Sequence, residues 1–129
     1  MVTANLKRED LHISDGLDSI VVIQALSELP GGRTLDVSKA GEGVRVVRSG
    51  HVLVIDKETG DICPLNITEG KYESLDGRKV AGVLKYSVSI NDPRAAIVTA
   101  GQINEAASPA PVTDEIKAAM PRIEWLYGK

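Results

Sequence analysis

Residues 80–107 constrain the fold more than any other stretch, because they predict two strands, the turn between them and a glycine corner. Residues 80–88 are rich in strand-forming side chains, and residues 89–93 supply Asn, Asp and Pro for a turn. Residues 95–100 carry no charge, which predicts a strand buried on both faces. Gly101 is expected to break that strand and start the corner. The organising unit of the chain is therefore β structure.

A second β unit precedes this stretch. Residues 51–56 and 61–65 predict a hairpin around a turn at residues 57–60. Apolar side chains alternate onto both faces of the first strand, which favours a position inside a small barrel or sandwich. Pro64 cannot donate a backbone hydrogen bond, so the returning strand is expected to lie at a sheet edge or to end there.

Two further segments complete the predicted fold. Residues 20–23 are β-branched and favour a strand, whereas residues 25–29 could form a helical turn; a strand followed by a turn is the preferred interpretation, with helix left open. After a stiff linker at residues 108–111, Thr113 is a good N-cap for a short helix at residues 114–120.

Near the C-terminus, residues 122–127 alternate as a final strand. The predicted fold class is mainly β, a small barrel-like or sandwich-like domain with one or two short helices and only a minor α+β component. With 129 residues the chain is long enough for one domain. Residues 1–16 are polar and predict a flexible N-terminal arm, which leaves residues 17–129 as the single β-rich domain.

The composition argues against several functions. A net charge of −3 argues against nucleic-acid binding, which needs a basic stripe, and an aromatic content of 3 % argues against a base-stacking platform. The sequence has one cysteine, which excludes an intramolecular disulfide. No apolar run is long enough to span a membrane, and no signal-peptide pattern is present. We therefore expect a soluble, unexported protein.

The sequence offers no convincing active site. His12 and His51 lack further ligands at metal-binding spacing, and Cys63 is best explained as a buried structural thiol. Lys85 is expected to be an exposed lysine within a strand. The acidic pair of Asp114 and Glu115 is explained by capping of the predicted helix. We predict no catalytic residues, no cofactor and no metal, and hence a protein that is not an enzyme.

Three segments carry a resemblance to a known family. The segments are VVRSGHVLVIDKETGDICPL, AGVLKYSVSINDPRAAIVTAGQINEAA and TDEIKAAMPRIEWL. Their order and spacing, with the Gly-x-Ile-Asn-Glu corner of the second, resemble the head decoration proteins of tailed bacteriophages. Residues 19–37 depart from that family, because this segment is longer and more apolar than the resemblance leads us to expect.

The resemblance implies a β-tulip type of fold and a structural protein of the virion that binds the capsid exterior and stabilises it. It implies the major capsid protein as partner, a homotrimer at three-fold or quasi-three-fold positions, and residence in the host cytoplasm during assembly. An arm that orders on the shell would place capsid contacts at Lys7, Arg8, Glu9 and Asp10. The alternative is a cytoplasmic β-barrel module that binds a ligand or acts as an adaptor.

Overall fold

The structure is a computed structural model that describes residues 18–30, 32–38 and 44–128. Within this part the chain is mainly β with few short helices, so the predicted fold class is confirmed. None of the sheets in the described ranges closes into a barrel, which was one of the forms expected for this class. The predicted arm at residues 1–16 lies outside the described residues.

Strands are numbered in chain order. They are β1 (Val22–Glu28), β2 (Arg33–Thr34), β3 (Val46–Val47), β4 (Val52–Ile55), β5 (Ile62–Pro64), β6 (Ile67–Thr68), β7 (Lys71–Tyr72), β8 (Lys79–Leu84), β9 (Val88–Ser89), β10 (Arg94–Ala95), β11 (Ile97–Asn104) and β12 (Ile123–Leu126). The helices are α1 (Asp18–Val21), a 3-10 helix (Glu105–Ala107) and α2 (Asp114–Ala119).

The main sheet has six strands. Five of them follow the order β1-β11-β8-β4-β5 with antiparallel neighbours, and β12 pairs in parallel with the second half of β11. Three two-stranded sheets, β2 with β10, β3 with β9 and β6 with β7, flank it. The position of β5 at an edge agrees with the prediction from Pro64, which is also its last residue.

Two hydrophobic clusters pack against the strands. Val52 and Val54 belong to the larger cluster, which also holds α2, while Leu53 between them belongs to the smaller one. Ile97 and Val98 divide in the same way, and all five side chains are fully buried. The central strands therefore have apolar side chains on both faces, as the sequence predicted.

The predicted C-terminal elements are present. Thr113 caps α2, because its side chain accepts a hydrogen bond from the backbone N–H of Ile116. Ile116 and Met120 are buried in the larger cluster, whereas Ala119 is exposed. The predicted final strand is β12, and its Trp125 is partly buried against the same cluster.

The start of the described chain differs from the preferred interpretation. Residues 18–21 form the short helix α1, and the strand follows as β1 from Val22 to Glu28, so the order of strand and turn is reversed. The cause is tertiary, because β1 pairs along β11 as far as Glu28 and this pairing outweighs local preference.

Gly101 does not break its strand. β11 continues through Gly101 to Asn104, with Gly101 opposite Ala25 of β1. Its φ of 152° is unfavourable for other residues, and a Cβ there would collide with the backbone carbonyl of Gln24. The glycine is needed because it lets β1 approach β11 closely.

Two connecting segments are more ordered than the sequence indicated. The polar segment at residues 66–79 contains the hairpin of β6 and β7, turned by Glu69 and Gly70 with φ values of 54° and 77°. The predicted linker at residues 108–111 packs on the core, where Ala110 is buried. Proline excludes regular structure there but does not prevent burial.

Candidate interaction surface

The residues proposed from the resemblance cannot be placed on the fold. Lys7, Arg8, Glu9 and Asp10 lie outside the described residues, as does His12. Their role in capsid binding stays a prediction. The candidate surface therefore rests on side chains from Ile20 onward, and it lies along β1.

β1 lies at the edge of the main sheet and carries two bulges. In its ladder with β11, Val22 pairs with Ile103 and Gln24 with Gln102, so Ile23 has no partner. Ala25 pairs with Gly101 and Ser27 with Ala100, so Leu26 has no partner either. Each bulge inserts one residue into β1 and increases the local twist of the edge.

Both inserted residues are large, apolar and exposed. The exposed fraction is 43 % for Ile23 and 68 % for Leu26, and Ile20 of α1 is 46 % exposed. These three side chains, spaced three residues apart, are called the apolar row. No charged residue occurs from Ile20 to Ser27, although edge strands are commonly protected by charges. The apolar row therefore has no protection by charge, and the two bulges are the feature of this edge that opposes regular strand pairing.

A charged pair lies at the far end of β1. The ammonium of Lys85 donates to Glu28 Oε2 at 3.0 Å and lies 5.3 Å from the centre of the Tyr86 ring. The hydrogen bond to Glu28 raises the pKa of Lys85, so the ammonium stays charged. Lys85 follows the end of β8 and is partly buried, which corrects its prediction as an exposed residue within a strand.

The corner after β11 is built around a buried carboxylate. Glu105 accepts from the backbone N–H of Val112 at 3.0 Å, and its other oxygen forms an ion pair with Lys117 Nζ at 2.9 Å. The side chain of Asn104 caps the 3-10 helix by accepting from the N–H of Ala107. The Asn-Glu pair of the corner thus connects β11 to α2, and its role is structural.

His51, the residue directly before β4, makes a polar contact with Leu65 and a ring contact with Tyr72. Its Nε2 lies 2.6 Å from the carbonyl oxygen of Leu65 and donates to it when the proton is on Nε2, while its ring meets Tyr72 edge-on at 5.5 Å. The hydroxyl of Tyr72 accepts from the N–H of Val52, and burial raises the pKa of Tyr72 to about 12. Desolvation lowers the pKa of His51, although the bond to Leu65 opposes this.

Acid should therefore destabilise the protein through His51. Since its pKa is lowered on folding, the unfolded chain binds more protons below pH 6.5, and the free energy of unfolding falls as the pH falls. Urea titrations from pH 7.5 to about pH 5 measure this slope, before most carboxylates titrate. His51→Gln should flatten the slope, because the glutamine side chain does not titrate in this range. An unchanged slope in His51→Gln would contradict the assignment.

Other features of the described residues give less indication of a functional site. Cys63, predicted to be a buried structural thiol, is only partly buried, with its side chain packed against the larger cluster. Within the described ranges, no three His, Cys, Asp or Glu side chains are grouped to hold a metal ion. An open depression of about 540 Å³ lies beside the β4–β5 turn. It is lined by Asp56, Lys57, Glu58, Glu73, Ser74, Asp76 and Arg78.

No helix in the described part of the chain is both long and apolar enough to cross a membrane. No protein-family model, no curated protein and no solved structure matches the sequence. The resemblance to head decoration proteins stays a prediction, as do the capsid partner and the trimer that it implies.

Proposed function

We propose that this chain is a structural protein that binds the outside of an assembled phage capsid and stabilises it. The partner is the major capsid protein, and the bound form is a homotrimer at three-fold or quasi-three-fold positions. The site of action is the virion exterior, reached from the host cytoplasm during assembly. No catalytic step is required, because a protein that binds only the assembled shell shifts the equilibrium toward it.

One observation supports this proposal above others. The three segments that carry the resemblance, residues 46–65, 81–107 and 113–126, supply β4, β5, β11, β12 and most of β8, which are five of the six strands of the main sheet. The third segment also supplies α2, which packs on the larger cluster. The resemblance therefore covers the strands that form most of the main sheet and the helix that packs on it.

The alternative function has weaker support. A ligand-binding module would need a concave, largely apolar pocket. The depression beside the β4–β5 turn is open, and charged side chains predominate in its lining. Such a surface favours water over a small apolar ligand. This depression therefore gives the alternative function no support.

Co-sedimentation with shells of the parent phage tests the capsid role. We expect saturable binding to mature, expanded capsids near one copy per capsid subunit, and no binding to unexpanded shells. Reversing the charges of the arm with Lys7→Glu and Arg8→Glu should weaken binding by roughly tenfold, about 1.4 kcal/mol, if several weak contacts share the affinity.

The matched control reverses two exposed lysines elsewhere on the domain, with Lys57→Glu and Lys71→Glu. This variant has the same net charge as the arm variant, so non-specific repulsion would affect both equally. Equal loss in both variants would contradict arm-mediated contact. Absence of binding to expanded capsids would overturn the proposed function itself.

A further inference from the structure

The apolar row has the properties of a self-complementary edge. Two copies of β1 can be placed antiparallel about a two-fold axis between Gln24 and Ala25. In that register Ile23 of one copy lies opposite Leu26 of the other, and the same contact recurs on the other side of the axis. In a two-fold interface, a contact between residue i of one copy and residue j of the other is always repeated between residue j of the first copy and residue i of the second. The Ile23–Leu26 contact satisfies this requirement.

We propose that two copies of this chain associate in solution through their β1 edges, with the apolar rows packed against one another. The inference concerns the free protein and does not depend on the proposed capsid function. It names a second copy as the occupant because self-pairing covers apolar side chains with apolar side chains and brings no like charges together at the axis.

The charges near β1 agree with a second copy as partner. Residues 20–27 contain no ionisable side chain, so self-pairing desolvates none along the row. At the end of the row, Glu28 is neutralised by Lys85 of its own chain at 3.0 Å. A strongly charged partner would meet no side chain of opposite charge along residues 20–27.

The size of the edge sets the strength of the dimer. β1 has seven residues and spans roughly 23 Å, and the three side chains of the apolar row, two on β1 and one on α1, offer far less than the about 800 Å² per partner of stable interfaces. The bulges also interrupt a regular ladder across the edge. We therefore expect a weak dimer, with a dissociation constant on the order of 100 μM.

Sedimentation equilibrium on the purified full-length chain tests the proposal between about 10 μM and about 1 mM. The average mass should rise from that of a monomer toward that of a dimer. Leu26→Glu and Ile23→Lys should each keep the protein monomeric, because each puts an unpaired charge against an apolar side chain. Combining Ile23→Lys with Leu26→Glu should restore the dimer, since each introduced ammonium then faces an introduced carboxylate.

Tyr127→Asn is the matched control, because Tyr127 is 73 % exposed and lies outside the apolar row. Asn tolerates the positive φ of 63° at this position. This variant should dimerise like the wild type. A protein that stays monomeric, a mass that rises to a trimer, a dimer that survives Leu26→Glu, or a double variant that stays monomeric would each overturn the two-fold β1 contact.

Discussion

Replacing Gly101 with alanine should lower the free energy of unfolding by about 3 to 5 kcal/mol, from steric overlap and backbone strain together. The added Cβ would overlap the carbonyl oxygen of Gln24 and lie 3.2 Å from the Cα of Ala25. Both are backbone atoms of β1, so the collision cannot be relieved by a side-chain rotation. Relief would require β1 to move away from β11. Urea unfolding of wild type and variant measures the loss.

Gly60→Ala is the control that separates the cost of backbone strain from the cost of the steric collision in Gly101→Ala. It has a positive φ of 77° in the β4–β5 turn, but a Cβ there would meet no atom within 4 Å. Gly60→Ala should therefore cost about 1 kcal/mol, from the backbone conformation alone. A loss in Gly101→Ala no larger than that in Gly60→Ala would show that β1 does not approach β11 as closely as described.

Local chemistry explains which parts of the fold the sequence predicted correctly. Apolar side chains alternate onto both faces of β4, so the sequence predicted burial on both faces. The larger cluster holds Val52 and Val54, and the smaller cluster holds Leu53. Thr113 followed by two acidic residues specified the start of α2 without reference to anything distant. Each of these two patterns is determined by a few consecutive residues, so the structures they predict did not depend on contacts with distant parts of the chain.

The errors lie where distant pairing decides the structure. Residues 18–28 form a helix and then a strand, because the position of β1 is set by β11 and not by its own propensities. The apolar row was missed for the same reason. The sequence placed Ile23 in a strand and Leu26 in the turn after it, and nothing local indicated the two bulges that remove both residues from the ladder.

The buried role of Glu105 also had no local sign. A single glutamate after a strand is usually solvated, and its partners, Val112 and Lys117, follow only after a proline-containing segment. Only the path of the residues between them brings the three groups together. The same path explains why the segment predicted to be a linker is packed: it leads directly to Val112, whose N–H donates to Glu105.

Glu105→Ala should accordingly destabilise the protein by about 3 kcal/mol. The change leaves the buried N–H of Val112 without its acceptor and Lys117 without its counter-charge, at a side chain only 5 % exposed. Glu105→Gln keeps an oxygen for the N–H but removes the ion pair, so its loss should be smaller, about 1 to 2 kcal/mol. Urea unfolding ranks the two variants against wild type.

Glu124→Ala is the matched control for this ranking, because Glu124 is an exposed carboxylate on β12 whose hydrogen bond, to Gln102, is also exposed. It should change the free energy of unfolding by less than about 0.5 kcal/mol. If Glu105→Ala cost no more than Glu124→Ala, the corner would owe its form to packing alone. A large loss in Glu105→Ala, with an intermediate loss in Glu105→Gln, would instead assign the connection between β11 and α2 to the buried carboxylate.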